Sequence, residues 1–408
     1  MMENRTYDHY LGARKLVEGR PGDGLVAGMG QMDNAGTFHE IYRESVDCVA
    51  DPPHDWTASR VQFGGGQNDG FLKAYQDKHG DDVPPYVCGY FGREDLPVTY
   101  ALADQYTTCD RWFASVMGPT FPNRWYLHSA QSGGYMYNEF DPKPHWPTIY
   151  DRLTAAGVSW GYYYYDLPFL ALMGVDPSKF YTFDQFLCVD APMGKLPQVT
   201  FVDPGFAYND DHPPHHPLLG QEFIGAVYTA LAKSKQWDNS LMVVTYDEHG
   251  GFFDHVPPPT APDERAADGF NQLGFRVPTI ILGPYAKKNY VSSVVHDHTS
   301  VLKHIENMFG LAPLTMRDAA ANDLSDAIDM DRLAAGVPDA PITLPTVTVD
   351  TSTFDPLCLM SDFKPSDIEL AADRGVIPPE LDRRAHAQAM GQKIRTYLAK
   401  QAITDLCE

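Results

Sequence analysis

Three short stretches of this chain carry side chains able to do chemistry. Glu3 and Asn4 lie in E-N-R-T-Y-D-H-Y-L-G, Thr120 in G-P-T-F-P-N-R, and Asp247 and Glu248 open D-E-H-G-G-F-F-D-H-V-P-P-P. Together they offer carboxylate and amide oxygens as hard metal ligands and a hydroxyl as nucleophile. A divalent cation can both deprotonate such a hydroxyl and neutralise a phosphate, so the set suits metal-assisted attack on a phosphate ester. Oxygen donors of these types favour Mg²⁺, Ca²⁺ or Mn²⁺.

Each stretch also has a plainer reading. Thr120 precedes Pro122, which fits the first turn of a helix. Thr120 then sits near a helix N-terminus, where the dipole and free N–H groups favour an alkoxide and an incoming phosphate. Its alternative role is an ordinary helix cap; the acidic pairs elsewhere favour the nucleophile. Asp247 and Glu248 follow the apolar run L-M-V-V-T. Two adjacent carboxylates at a strand end repel each other unless a cation binds, which favours ligation over simple salt bridges. Glu3-Asn4 is weak alone, and Asn4-Arg5-Thr6 also matches a glycosylation sequon.

Five histidines, at 54, 212, 249, 255 and 298, stand in Pro- or Asp-flanked contexts such as P-P-H-D-W, N-D-D-H-P-P and H-D-H-T-S. A lone histidine is usually structural. A set of them supplies the cations that an acidic chain needs around phosphate, or a proton for a leaving group. His215 and His216 read as loop residues.

The elements that must hold these groups alternate. Strands are expected at 109–116, 158–164, 199–202, 241–246 and 277–282, and helices at 69–78, 96–105, 147–156, 219–233, 300–309 and 383–401. This pattern implies a mostly parallel sheet with helices on both faces, with ligands beyond the carboxyl ends of its strands. Asp247-Glu248 falls at such an end. Residues 1–325 read as the catalytic domain and 326–408 as a C-terminal extension, whose Thr- and Pro-rich 338–356 is expected to be extended.

With 408 residues and 43% hydrophobic content the chain can bury a large core. A formal charge of -23 argues against nucleic-acid partners. The six cysteines form no C-x-x-C pair, so zinc ribbon and thioredoxin motifs are excluded. Scattered buried thiols are expected, with a Cys48–Cys88 bridge as the alternative in an oxidising compartment. No apolar run reaches the length of a membrane span, and no signal peptide is visible. Walker loops, G-x-S-x-G and H-E-x-x-H are also missing.

Seven segments in order, the three above with P-P-H-D-W, G-G-G-Q-N-D-G-F, D-H-P-P and D-H-T-S, resemble the bacterial phospholipase C and acid phosphatase A family, which includes the plant non-specific phospholipases C and belongs to the alkaline phosphatase superfamily. The resemblance implies a three-layer α/β/α sandwich that hydrolyses phosphoesters through a phosphorylated threonine or serine. Carried over by motif, Glu3, Asn4, Thr120, Asp247 and Glu248 would hold one divalent ion. His54 and His212 would line the phosphate pocket, and His255 and His298 fall in matching motifs as candidate substrate-binding residues, as does His249 without a role. Family members are commonly exported. Thr6-Tyr7 replaces the usual Ser-Phe of the first motif.

The expected activity is a metal-dependent phosphodiesterase of phospholipase C type, making transient contact with a membrane surface. The alternatives are an acid phosphatase on small phosphomonoesters and a non-catalytic phosphate- or lipid-binding protein. The last arises because the family's first motif follows a central strand, which this chain does not show before Glu3. Glu3 and Asn4 are therefore expected to be loosely held, with a strand of roughly five to eight residues expected upstream.

Overall fold

The computed structural model of the protein describes residues 1–139, 146–359 and 383–400. Two sheets form its middle. One runs Tyr290–Ser292, Thr107–Cys109, Ile280–Leu282, Met242–Val244 from edge to edge; the other runs Phe180–Thr182, Trp160–Tyr164, Val199–Asp203. Three of the five strand pairs in them are parallel, and Ile280–Leu282 is the antiparallel member, facing Thr107–Cys109 on one side and Met242–Val244 on the other.

Met1 and Met2 lie at the seam between the sheets. Met2 N–H donates to Thr245 O at 2.8 Å and Met2 O accepts from Asp247 N–H at 3.0 Å, while the Met1 amine donates to Val202 O at 3.4 Å. Glu3 N–H continues the seam by donating to Asp210 O at 2.8 Å. Glu3 and Asn4 are thus fully buried and anchored to both sheets, contrary to the expectation of a loose terminus. Backbone pairing to two neighbours compensates the ordering entropy that argued for looseness.

Side chains alternate across a strand, so each face meets a different layer. Tyr162 packs with helices Thr120–Ser129, Ile149–Ala155 and Thr299–Phe309, whereas Tyr163 packs with Pro97–Gln105, Pro217–Ala232 and Arg383–Lys400. The result is the expected α/β/α layering. Helix ends follow local chemistry: Pro217 occupies the first turn of its helix, and Gly310, with φ +65°, stops Thr299–Phe309. The strand expected at 109–116 is shorter. Beyond Cys109 its backbone makes only isolated bridges, Trp112 to His296 and Phe113 to Arg276, and then turns toward Thr120.

The C-terminal extension packs on this same core. Ile342, Leu344, Val347 and Phe354 pack against it from one segment, and Ala387, Met390, Ile394 and Tyr397 from the Arg383–Lys400 helix. A disulfide joins Cys48 to Cys358, and Cys88 and Cys109 are free and buried. The Cys48–Cys88 alternative is therefore wrong: the bridge spans 310 positions and ties the extension to the N-terminal third. Among the described residues no helix is long and apolar enough to cross a membrane.

Candidate active site

The turn into the Thr120 helix is built by Asn123. Its Nδ2 donates to Val116 O, Gly118 O and Pro119 O, at 3.2, 2.9 and 3.1 Å, and its Oδ1 accepts from Val116 N–H. Thr120 becomes the first residue of helix Thr120–Ser129, and its side chain caps nothing. Its hydroxyl donates instead to Glu3 Oε2 at 3.1 Å. The cap reading is excluded on that geometry. One correction applies to the helix N-terminus: Phe121 N–H is taken by Asn138 Oδ1 at 2.9 Å and Pro122 has none, so the first turn offers fewer open donors than expected.

Glu3, Asn4, Asp247 and Glu248 converge beside Thr120. Asp247 Oδ1 accepts from Asn4 N–H at 3.0 Å and from Glu248 N–H at 2.7 Å, and Glu248 Oε2 accepts from Gly250 N–H at 2.8 Å. That leaves Asn4 Oδ1, Asp247 Oδ2 and Glu248 Oε1 buried with no hydrogen-bond partner among the described residues. Buried oxygens without donors are costly, and three of them together form a donor set suited to a hard cation. Charge points the same way. Burial, then the neighbouring charges of Glu3 and Glu248, push Asp247 well above the usual carboxylate range. Burial raises Glu3 to about 7, with Arg124 pulling it back. The residues present therefore fit a divalent ion held by Glu3, Asn4, Asp247 and Glu248 with Thr120 alongside. Asn4 takes a left-handed backbone, φ 59°, which Asn tolerates better than most residues.

Sequence reasoning quoted Arg124 without giving it a role. It is fully buried, donates from Nε to Glu3 Oε1 at 2.8 Å and from Nη1 to Asp203 Oδ1 at 3.2 Å, and its Nε lies 4.0 Å from Asp247 Oδ2. Its second contact to Glu3 Oε1, from Nη2, makes the fork two-pronged. The signal was available: positions 120 and 124 are one helical turn apart and share a face.

His54 and His212 approach from two loops, with ring centroids 5.6 Å apart. In each, Nδ1 donates to a nearby backbone carbonyl, Pro52 O for His54 and Pro213 O for His212, which leaves Nε2 for other partners. His54 Nε2 lies 3.3 Å from Asn4 Nδ2 and 3.8 Å from Glu248 Oε1. Burial opposes its charge, but Glu248 and Asp51 outweigh that and raise it to about 9. Asp51, which sequence reasoning missed, groups with both histidines within 4.8 Å and pairs with Lys78 at 3.1 Å.

The other three histidines are committed elsewhere. His249 Nδ1 lies 3.0 Å from Glu248 Oε2 and Nε2 bonds Gln62 Oε1 at 2.7 Å, so it orients a proposed ligand. His298 accepts from Trp112 Nε1 on Nδ1 and donates from Nε2 to Asp247 O at 2.6 Å. Burial lowers it to about 4, which matches that neutral tautomer. His255 is held by Asp8 at 2.6 Å and Asp23 at 3.2 Å, in a separate network with Asp254 and Arg276. With both ring nitrogens engaged, neither His255 nor His298 is free to bind substrate. The sequence could not show this, because their partners lie far away in the chain.

The chain is similar in sequence to known proteins. The profile of the phosphoesterase family matches residues 1–312. Non-specific phospholipase C6 of Arabidopsis thaliana is 32% identical, over 91% of this chain and 79% of its own. Non-specific phospholipase C1 of the same plant is 34% identical over 79% and 68%. Phospholipase C A of Mycobacterium tuberculosis is 29% identical over 86% and 82%. Among solved structures, a protein of the alkaline phosphatase superfamily from Vibrio parahaemolyticus is 13% identical over 59% of this chain and 65% of its own, with a TM-score of 0.38. The chain belongs to the phosphoesterase family and is a hydrolase of phosphoric ester bonds.

Proposed function

We propose that this protein cleaves the phosphodiester bond of phospholipids, in the manner of a phospholipase C, through a phosphorylated Thr120. The observation that carries the reading is the Thr120 hydroxyl donating to Glu3 Oε2 at 3.1 Å, at the head of a helix and among buried oxygens that lack donors. The names of relatives with 29–34% identity supply the lipid substrate.

Glu3 Oε2 holds the hydroxyl proton and aims Thr120 Oγ1 at phosphorus. Arg124 fixes Glu3 from behind, so the carboxylate cannot rotate away. A divalent ion held by Glu3, Asn4, Asp247 and Glu248, with Thr120, would supply positive charge to the alkoxide and the phosphate oxygens. His54 and His212, with Nδ1 tied to the backbone, present Nε2, which in the doubly protonated ring donates to phosphate or to the leaving alcohol. Water then releases the phosphoryl group from Thr120. The Cys48–Cys358 bridge supports an oxidising location.

The test is hydrolysis of phosphatidylcholine against a phosphomonoester, with and without a strong chelator. Release of diacylglycerol that the chelator abolishes supports the reading. Activity on the phosphomonoester alone makes the protein an acid phosphatase, and binding without turnover makes it a phosphate- or lipid-binding protein.

A further inference from the structure

His54 and His212 differ from the rest of the site in what carries them. Thr120 and Arg124 sit on a helix, and Asp247 follows a strand, but both histidines ride on loops. Positioning a proton donor demands tolerances that a loop does not meet unaided.

The C-terminal segment supplies the support. Cys48, six positions before His54, is bonded to Cys358. His216, four positions after His212, stacks on Phe354 with ring centroids 3.9 Å apart and planes 14° from parallel. The two loops also meet each other there: His216 Nε2 lies 3.3 Å from Asp47 Oδ2, and His216 Nδ1 accepts from Leu218 N–H. One short run of chain, Phe354 to Cys358, therefore touches the loop before His54 and the loop after His212. A cavity of about 370 Å³ lies under this junction, lined by Val46, Asp47, His216, Thr348 and Phe354.

We propose that the segment 338–359 is a strap across both histidine loops, and that Phe354 and the Cys48–Cys358 bridge are positioning residues for His54 and His212. The strap rests on the phosphoesterase reading, since that reading gives the two histidines their work. Its elements touch no ligand oxygen and not Thr120, so loosening it disturbs the donors without emptying the cation site.

The experiment compares the wild type with Phe354→Ala, Phe354→Tyr and the Cys48→Ser/Cys358→Ser double variant. The readouts are kcat and KM on a chromogenic phosphodiester, bound-metal stoichiometry, and amide hydrogen exchange over 45–55 and 209–216. The strap predicts that Phe354→Ala and the double variant lose about tenfold in kcat. KM and metal content should stay near wild type, and exchange should be faster in both loops. Phe354→Tyr, which keeps the stacked ring, should restore kcat. Wild-type kcat and unchanged exchange in Phe354→Ala and in the double variant overturn the strap. A wild type that hydrolyses no ester overturns the functional reading instead, and loop exchange then decides the strap alone, unchanged rates counting against it.

Discussion

The Thr120 hydroxyl donates to the Glu3 carboxylate across 3.1 Å of space and 117 positions of sequence. Glu3 is in turn gripped by Arg124, one turn further along the Thr120 helix. The helix therefore presents both the hydroxyl and the guanidinium that fixes the hydroxyl's partner.

Arg124 should matter to stability as well as to rate. Removing it strands Glu3 and Asp203 as buried carboxylates, and breaking a buried ion pair costs about 3–5 kcal/mol. Arg124→Ala should lower the denaturant midpoint accordingly. Arg124→Lys, which keeps the charge and loses the fork, should fall between it and the wild type. A midpoint for Arg124→Ala equal to wild type would show that Glu3 and Asp203 are neutral or solvated without it.

Gly250 is required by space. A Cβ there would stand 2.0 Å from Asn4 O, and the backbone has φ +63°. Gly250→Ala must therefore displace Asn4 or strain the turn. Metal affinity and turnover should both fall, turnover by about tenfold or more. Isothermal titration with the divalent ion and a steady-state assay check this; unchanged values in both would remove Asn4 from the cation site.

How much of this was legible in the sequence depended on the range of the interaction. The α/β/α layering followed from alternating local patterns, and Gly310 marked a helix end where the structure has it, whereas the helix expected from 219 begins at Pro217. The hydroxyl and the acidic residues stood out by residue type and context, whereas His54 and His212 were separated from the other histidines only by the family resemblance. What stayed hidden was set by contacts between distant segments. His255 and His298 resemble His54 on paper, and only their partners Asp8, Asp23, Trp112 and Asp247 O distinguish them. The anchoring of Glu3 through Met2 and Asp210, and the pairing of Cys48 with Cys358, are likewise decided by tertiary contacts that no local pattern encodes.

Away from the site, Glu306 gives a pH dependence with a definite sign. Burial, then the adjoining Asp318 carboxylate, raise it to about 9 from an ordinary 4.5. The folded protein thus keeps a proton that the unfolded chain releases above 4.5, so this group lowers stability progressively as pH rises from 4.5 toward 9 and adds nothing below that window. Glu306→Gln should be more stable than wild type at pH 8 and equal to it at pH 4, by parallel thermal melts. An advantage that does not grow with pH would contradict the shift.

The central claim is that Thr120 is the nucleophile, and hydrolysis of a chromogenic phosphate ester by Thr120→Ala tests it most directly. The Thr120 side chain makes one hydrogen bond, to the Glu3 carboxylate, worth about 1.5–3 kcal/mol, so the variant should fold, and its metal content can be matched to wild type. The account predicts a loss of at least about a thousandfold in kcat, with part of the activity kept in Thr120→Ser, whose hydroxyl survives. Turnover near the wild-type rate in a folded, metal-loaded Thr120→Ala would contradict it.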